Sequence, residues 1–466
     1  MLNKDQAHDI FDKLRRLCTA DELELLVAGG RSALTRFANN TIHQNIEEEN
    51  QHISIRVSFG GRTARATTNK YDEASLRRVV QSAEALASVQ QEDSDLLPMP
   101  TPQEVAENVA AAGAVPVQRW FDGTAALTPQ DRAAAVAQMV DIAKRHRLTS
   151  AGIFASSQIV EGIFNSRGVA DWYEQTSAEV SITMLGDSSS GWQKANAPDV
   201  SRLDPAGMAQ IAADKALASQ NPRELAPGKY TVILEPAAVL DIVGFMFWDF
   251  SGSALLEQRS FLNDRIGKQL FGPNVTVWDD AYHPLQTGAP FDGEAMKRHR
   301  VKLIEDGTVR AVTYSRSAAQ RMRRAEISNV GPITATGHGF PLPNEIGEAP
   351  LNIVFAGPPP EESRSVEQMI ASTDRGVLAT RLWYIREVDP YEKILTGMTR
   401  DGTFLIEHGK VGGGIRNFRF NESLIHMLQN VEAMGEPVRA SGEESMDMVV
   451  PAMKIRDFNF TEATKF

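Results

Sequence analysis

The 466-residue sequence carries a single cysteine, Cys18. No disulfide can form within the chain, and a cysteine-built zinc or iron–sulfur cluster is excluded. A reducing, cytoplasmic setting follows as the simplest expectation. Long apolar runs are missing too. The most apolar stretch, residues 230–250, is broken by Glu235, Pro236 and Asp241. It falls short of the roughly 20 consecutive apolar residues of a membrane span. Residues 1–18 space Ile10, Phe11, Leu14 and Leu17 along one helix face and contain no unbroken apolar core of the secretory kind. The nine histidines are scattered, with no pair at i, i+4 and no His-Glu-x-x-His, so no local metal motif is present. Basic residues are outnumbered, 48 Lys and Arg against 60 Asp and Glu, for a net charge of −12. That balance argues against a nucleic-acid binder, which needs a basic surface to release counterions.

What is present reads as globular: 42% hydrophobic and 23% charged residues, over a length that suggests more than one domain. After the N-terminal helix, strands are predicted over 22–28, ended by Gly29-Gly30, and over 33–38, followed by a turn at Asn39-Asn40. Ile53, Ile55 and Val57 share one face of a strand over 52–58, and Gly60-Gly61 turns the chain into 62–67. Asp72 then caps a helix with Leu76, Val79, Val80 and Ala83 on one stripe. The order returns later. Thr128-Pro129-Gln130-Asp131 opens a helix to about residue 147, strands follow over 151–160, 162–165 and 179–184, and a helix spans 206–219. Short strings recur as well: Phe37-Ala38-Asn39 with Ile163-Phe164-Asn165, Ile53-Ser54-Ile55 with Val180-Ser181-Ile182, and Ala85-Leu86-Ala87-Ser88 with Ala216-Leu217-Ala218-Ser219. The reading is an N-terminal α/β domain over 1–222 made of two repeated halves, about 1–90 and 127–220, joined by an acidic, Pro-rich connection over 90–102.

Beyond residue 222 the texture changes. Strand-like runs occupy 231–234, 275–278, 299–304, 309–314, 351–356, 403–407 and 448–460, with turns at Glu305-Asp306-Gly307 and Arg400-Asp401-Gly402. Helices are expected only near 237–248, 255–270, 365–372 and 424–434. Residues 223–466 therefore read as a C-terminal β-rich, barrel-like domain, and the protein as α+β.

No chemistry announces itself. Gly412-Gly413-Gly414 lacks the Lys-Ser/Thr ending of a phosphate loop and reads as a turn. Ser251-Gly252-Ser253 is no nucleophile elbow. Asp279 and Asp280, adjacent on a strand, point to opposite faces and mark a solvated edge. Gly337-His338-Gly339 is the best local candidate for a substrate-binding loop, because glycines leave the backbone open to a ligand and the ring can titrate near neutrality.

Several separated stretches nevertheless share a pattern. Residues 36–44 (Arg-Phe-Ala-Asn-Asn-Thr-Ile-His-Gln), 260–269 (Ser-Phe-Leu-Asn-Asp-Arg-Ile-Gly-Lys-Gln), Pro290-Phe291-Asp292-Gly293-Glu294, Thr336-Gly337-His338, Ile406-Glu407-His408-Gly409-Lys410 and 416–423 (Arg-Asn-Phe-Arg-Phe-Asn-Glu-Ser) resemble, in order, the TldD/PmbA family. That family was once described as modulators of DNA gyrase and is understood as metallopeptidases acting on unstructured peptides. Its catalytic members carry His-Glu-x-x-x-His on a helix plus a late cysteine. Placed on this chain, the motif falls on residues 244–249, where Gly244 and Phe245 replace the first His and the Glu, and Asp249 the last His. The late segment 440–445 has serines and no cysteine. The resemblance therefore implies a PmbA (TldE)-like subunit with no catalytic residue and no metal of its own. Zinc would be expected in a TldD-like, metal-bearing partner, and unfolded peptides would be processed within the heterodimer, without nucleic acid or membrane. The alternatives are a peptide-binding or regulatory homodimer and, last, a hydrolase built around His338.

Overall fold

The computed structural model describes residues 1–112, 115, 117–326 and 333–464. Its first half is built on one six-stranded antiparallel sheet. The strands are β1 (Glu22–Ala38), β2 (Thr41–Phe59), β3 (Arg62–Thr68), β4 (Thr149–Asn165), β5 (Ala170–Leu185) and β6 (Ser190–Ala197), in the order β3-β2-β1-β4-β5-β6. The repeat read from the sequence is visible in the register. Moving every residue on by 127 positions, as from Ile53 to Val180, turns the pair Val27–Ile53 into Phe154–Val180 and the pair Ile53–Thr68 into Val180–Ala195. At the junction of the halves Arg31 faces Gln158, its own counterpart under that shift. The halves are thus related by a pseudo-twofold axis through this pair.

Local chemistry sets the elements. Asn39 and Asn40, with φ of 51° and 60°, and Gly60 and Gly61, at 47° and 84°, each supply the two left-handed positions of a tight hairpin turn. Asp72 caps the helix Glu73–Ser88 by accepting from the Ser75 amide, and Thr128 and Asp131 form a reciprocal capping box on the helix Pro129–Arg145. Alternate strand residues bury one sheet face in two cores. One lies under the helices Lys4–Leu17 and Glu73–Ser88, the other under Pro129–Arg145 and Pro205–Ala218. The cores exchange an aromatic ring: Phe37 of β1 sits in the second core and Phe164 of β4 in the first.

Two expectations about this half need correction. β1 runs unbroken through Gly29-Gly30, which serve close approach and not a turn: a Cβ on Gly30 would lie 2.1 Å from the Gln158 carbonyl oxygen. β4 likewise runs unbroken through Glu161, and β6 was not foreseen.

Among the described residues the second half adds thirteen strands in two sheets. They are β7 (Gly228–Leu234), β8 (Val277–Asp279), β9 (Val301–Glu305), β10 (Thr308–Val309), β11 (Ile353–Phe355), β12 (Arg375–Asp389), β13 (Ile394–Glu407), β14 (Lys410–Gly414), β15 (Phe418–Ser423), β16 (Val431–Met434), β17 (Val438–Ala440), β18 (Met448–Val450) and β19 (Met453–Ala463). One sheet runs β10-β9-β8-β11-β18-β17. In the other, β12-β7-β19-β15-β13 closes on itself because β12 also pairs with β13, with β14 and β16 attached. A large aromatic-rich core, including Phe247, Phe250, Phe355, Phe418, Phe420, Phe458 and Phe460, fills the space around the helix Pro236–Val243. Among the described residues no helix is long and apolar enough to cross a membrane.

Here too the sequence pattern misled in places. Residues 257–270 are not helical: the helix Gly252–Leu256 ends where Gln258, Asp264 and Gly267 adopt positive φ. Residues 310–314 lie outside the sheet, Arg400-Asp401-Gly402 is a bulged part of β13, and Gly412-Gly413-Gly414 belongs to β14. β12 went unseen because both of its faces are buried from Gly376 to Leu382, which erases the alternation.

Candidate functional site

Two hollows hold all but Gly337 of the site residues singled out from the sequence. The first is a cavity of about 550 Å³ between the six-stranded sheet and loops of the second half. His338 and Gly339 form part of its wall, with Arg298, Glu161, Asn352 and Met446. His338 itself is 2% exposed, and both ring nitrogens are engaged. Nε2 lies 2.9 Å from Asp279 Oδ1 and Nδ1 lies 2.9 Å from Thr336 Oγ1. Asp279 also accepts from the Asn352 amide at 2.8 Å and from Arg298 Nη2 at 3.2 Å. Burial opposes ionisation of Asp279, but these donors and the Arg298 charge hold its carboxyl well below the usual range. Burial, then the Arg298 charge, depress the imidazole.

Asp279, His338 and Thr336 have the connectivity of an acid–base–nucleophile relay. The hydroxyl is not presented to a substrate, however. Thr336 Oγ1 is tied to both the amide and the carbonyl of Tyr314, and the residue is buried. The flanking glycines leave no room for side chains. A Cβ on Gly337, whose φ is 71°, would meet the Lys297 carbonyl at 2.0 Å, and one on Gly339 would meet Glu294 Oε2 at 2.4 Å. The Gly339 amide donates to Asp292 Oδ2 at 2.7 Å. Burial raises both Asp292 and Glu294, the latter further because Asp292 is beside it. Asp279 and Asp280, read as a solvated pair, are both buried; Asp280 is paired with Arg300 at 3.0 Å.

The second hollow, about 730 Å³, opens where the lost motif was placed. The helix Pro236–Val243 continues into a tighter 3₁₀ turn, Gly244–Asp249, so all three positions sit on one segment. Gly244 is pressed against Ser445: a Cβ there would lie 1.8 Å from its Oγ. Phe245 packs half-buried against the core. Asp249 does carry a carboxylate, but a lysine holds it. Lys393 Nζ lies 2.5 Å from Asp249 Oδ2 and 2.7 Å from Glu387 Oε1, with the lysine side chain 4% exposed. Burial pushes the Asp249 carboxyl up, and Lys393 draws it part of the way back. This donor set does not fit a zinc ion: one residue has no side chain, one is a hydrocarbon ring, and the single oxygen ligand is neutralised by an ammonium. Among the described residues no group of three or more His, Cys, Asp or Glu side chains is arranged to hold a metal. Sequence reasoning missed Lys393, Glu387, Arg298 and Glu161. Nothing local marks them, since they reach these hollows from strands and loops far away in the chain.

Comparison with known proteins bears on the same segments. Family models match in order: PmbA/TldA metallopeptidase domain 1 over residues 23–87, the central domain over 124–220 and the C-terminal domain over 227–462. Metalloprotease PmbA of Escherichia coli O157:H7 is 22% identical over 322 residues, 67% of this chain and 66% of that protein, so the chain spans just under two thirds of that relative. The metalloprotease PmbA homolog of Haemophilus influenzae is 21% identical over 431 residues, 88% of this chain and 87% of that one. The crystal structure of TldE from Thermococcus kodakarensis superposes with a TM-score of 0.85 at 18% identity, covering 98% of this chain and 99% of that one, which speaks for a shared fold. With its C-terminal model alone matching half of the sequence, the chain belongs to the TldD/PmbA metallopeptidase family.

Proposed function

We propose that this chain is the PmbA/TldE-type, non-catalytic subunit of a heteromeric zinc metallopeptidase, working beside a metal-bearing TldD-type chain on unstructured peptides. One observation carries the reading: Asp249, the one potential ligand among the three positions aligned with the motif, is ion-paired to the Lys393 ammonium, which also holds Glu387. A cation already fixed there leaves no reason for a second, and Gly244 and Phe245 offer neither a ligand nor a base to activate water. An extended peptide suits such a protein, because backbone hydrogen bonds capture unfolded chains with little demand on sequence. The lone Cys18 supports a reducing compartment, the cytoplasm.

The test is to purify the chain alone and after co-expression with a homologue carrying His-Glu-x-x-x-His. The expected result is a stable one-to-one complex that holds zinc and cleaves an unfolded peptide, while the single chain holds none and cleaves nothing. Stoichiometric zinc and peptide cleavage by the chain alone would overturn the proposal. Co-purification also decides against a peptide-sequestering homodimer, which would ignore the metal-bearing chain.

A further inference from the structure

We propose that the cavity over the β1–β4 seam binds an apolar residue of an extended peptide, holding its backbone amide between Arg298 and Glu161. The inference rests on the peptide-handling reading above and locates where this chain would take part in it.

The cavity is of ligand size: about 550 Å³, within the 300–1,000 Å³ common for small-molecule sites. Its floor is the face of the sheet opposite the helices. There Ala28 pairs with Glu161 and Gly30 with Ile159, so small residues keep the seam low. Leu26, Ile159, Phe340, Leu351 and Met446 line it and are only partly buried, so apolar surface is left open to a visitor.

Most polar groups of the wall are already engaged. Gln286 donates to the Ile353 carbonyl and accepts from Arg439, Thr287 Oγ1 accepts from Arg439, and Asn352 Nδ2 donates to the Thr287 carbonyl. Asp292 accepts from the amides of Glu294, Met296 and Gly339. Two residues stand apart. Among the described residues Arg298, 6% exposed, hydrogen-bonds only through Nη2: Nη1 makes no hydrogen bond, and Nε is buried without one. Glu161, half-buried on the cavity wall, accepts no hydrogen bond among the described residues. Burial raises its carboxyl and the Arg298 charge draws it partly back, which places the two groups within electrostatic reach of each other. Nε is shut off from the cavity, so Nη1 is the nitrogen left to meet a ligand acceptor.

The chemistry of the visitor follows. Arg298 calls for an acceptor and Glu161 for a donor, and a peptide unit offers both as C=O and N–H. A carboxylate ligand would meet Glu161, Asp292 and Asp447, and an ammonium ligand would meet Arg298 and Arg439, whereas a neutral amide meets neither repulsion. An extended ligand is favoured over a compact one by what lies in line with the cavity. On the same sheet face a second hollow, about 420 Å³, is lined by Ser32, Leu34, Ala155 and Ser157. Ser32 is four residues beyond Ala28, roughly 13 Å along a strand. On the other side Met446 belongs to both this cavity and the cleft of Asp249 and Lys393.

The test uses the full chain without any partner, so its failure and the failure of the subunit proposal are separate results. N-acetyl-leucinamide is titrated by isothermal calorimetry, beside N-acetyl-leucine and leucinamide as the anionic and cationic counterparts. The neutral amide should bind saturably, and each charged probe about tenfold more weakly or not at all. Glu161→Leu should weaken the neutral probe about tenfold, the effect of losing one hydrogen bond to a charged group. Glu161→Gln, which keeps an acceptor, should restore most of that affinity, and Ala28→Ile should block the floor. Because Glu161 has no described hydrogen-bond partner, its variants should melt with the parent. No saturable binding of the neutral amide, a preference for either charged probe, or unchanged affinity in folded Glu161→Leu would each overturn the proposal.

Discussion

Lys393 Nζ stands 2.5 Å from the Asp249 carboxylate. The lysine also reaches Glu387 at 2.7 Å and has the Phe261 ring 5.4 Å away. Through these contacts one ammonium ties Glu387 to the 3₁₀ turn Gly244–Asp249. Replacing Lys393 by Met leaves Asp249 buried without its partner, a change that typically costs 3–5 kcal/mol. Lys393→Met should therefore lower unfolding stability by roughly 3 kcal/mol, read in urea. Adding Asp249→Asn should recover much of the loss, because the uncompensated charge goes with it. Additive losses in the double mutant would show that the two residues do not act as a pair.

Reinstating the motif by point substitution should fail for a steric reason. A side chain at position 244 begins 1.8 Å from Ser445 Oγ, and Lys393 is ion-paired to position 249. The variant Gly244→His/Phe245→Glu/Asp249→His should thus purify with no stoichiometric zinc in elemental analysis. Adding Ser445→Gly and Lys393→Ala should be required before metal is retained. Full zinc occupancy in the triple variant would refute this account of why the site is closed.

How much of this was legible beforehand depends on the range of the interaction. Turns and caps were, because Asn39-Asn40, Gly60-Gly61, Asp72 and Thr128 act within a few residues of themselves. The repeat was legible through Ile53 and Val180, whose shift of 127 is the one the register obeys. The string Phe37-Ala38-Asn39 misaligns by one position: in space Phe37 corresponds to Phe164. Gly29-Gly30 was misread because a glycine needed for close approach to another strand looks, in sequence, like a turn glycine. The placement of the motif on 244–249 rests on family resemblance alone, and the lysine paired with Asp249 was not legible at all. Nothing near residue 393 says that its side chain will lie buried beside residue 249.

The exchanged aromatics give a prediction about the pseudo-twofold axis. Phe37 and Phe164 are each 1% exposed, and each packs in the core of the opposite half. Truncating either to Ala should cost about 3–5 kcal/mol. If the halves fold as one unit, each variant should shift the whole transition of residues 1–220, and helices of both halves should lose amide protection together. Loss confined to the half that carries the substituted strand would mean that the sheet junction does not couple them.

The last prediction concerns acidity. Asp241 lies in the helix Pro236–Val243, fully buried, with its oxygens accepting from the amides of Glu443 and Glu444 at 3.1 Å and of Leu382 at 3.3 Å. Burial pushes its carboxyl up to about 6, against an ordinary 3.8, and those amides keep it from rising further. Raised in the folded state, the group favours folding in its protonated form. Its contribution is complete below about pH 3.8 and is lost as pH climbs through about 6. Two units correspond to roughly 3 kcal/mol. The difference in unfolding free energy between parent and Asp241→Asn should therefore change by up to that amount between pH 4 and 7, the parent losing ground as pH rises. Many other carboxylates titrate in the same interval, so the difference, and not the parent curve, is the quantity to follow. A pH-independent difference would mean that Asp241 ionises in the fold as readily as in the open chain, and that the 442–444 loop closing over it contributes no selectivity for the protonated form.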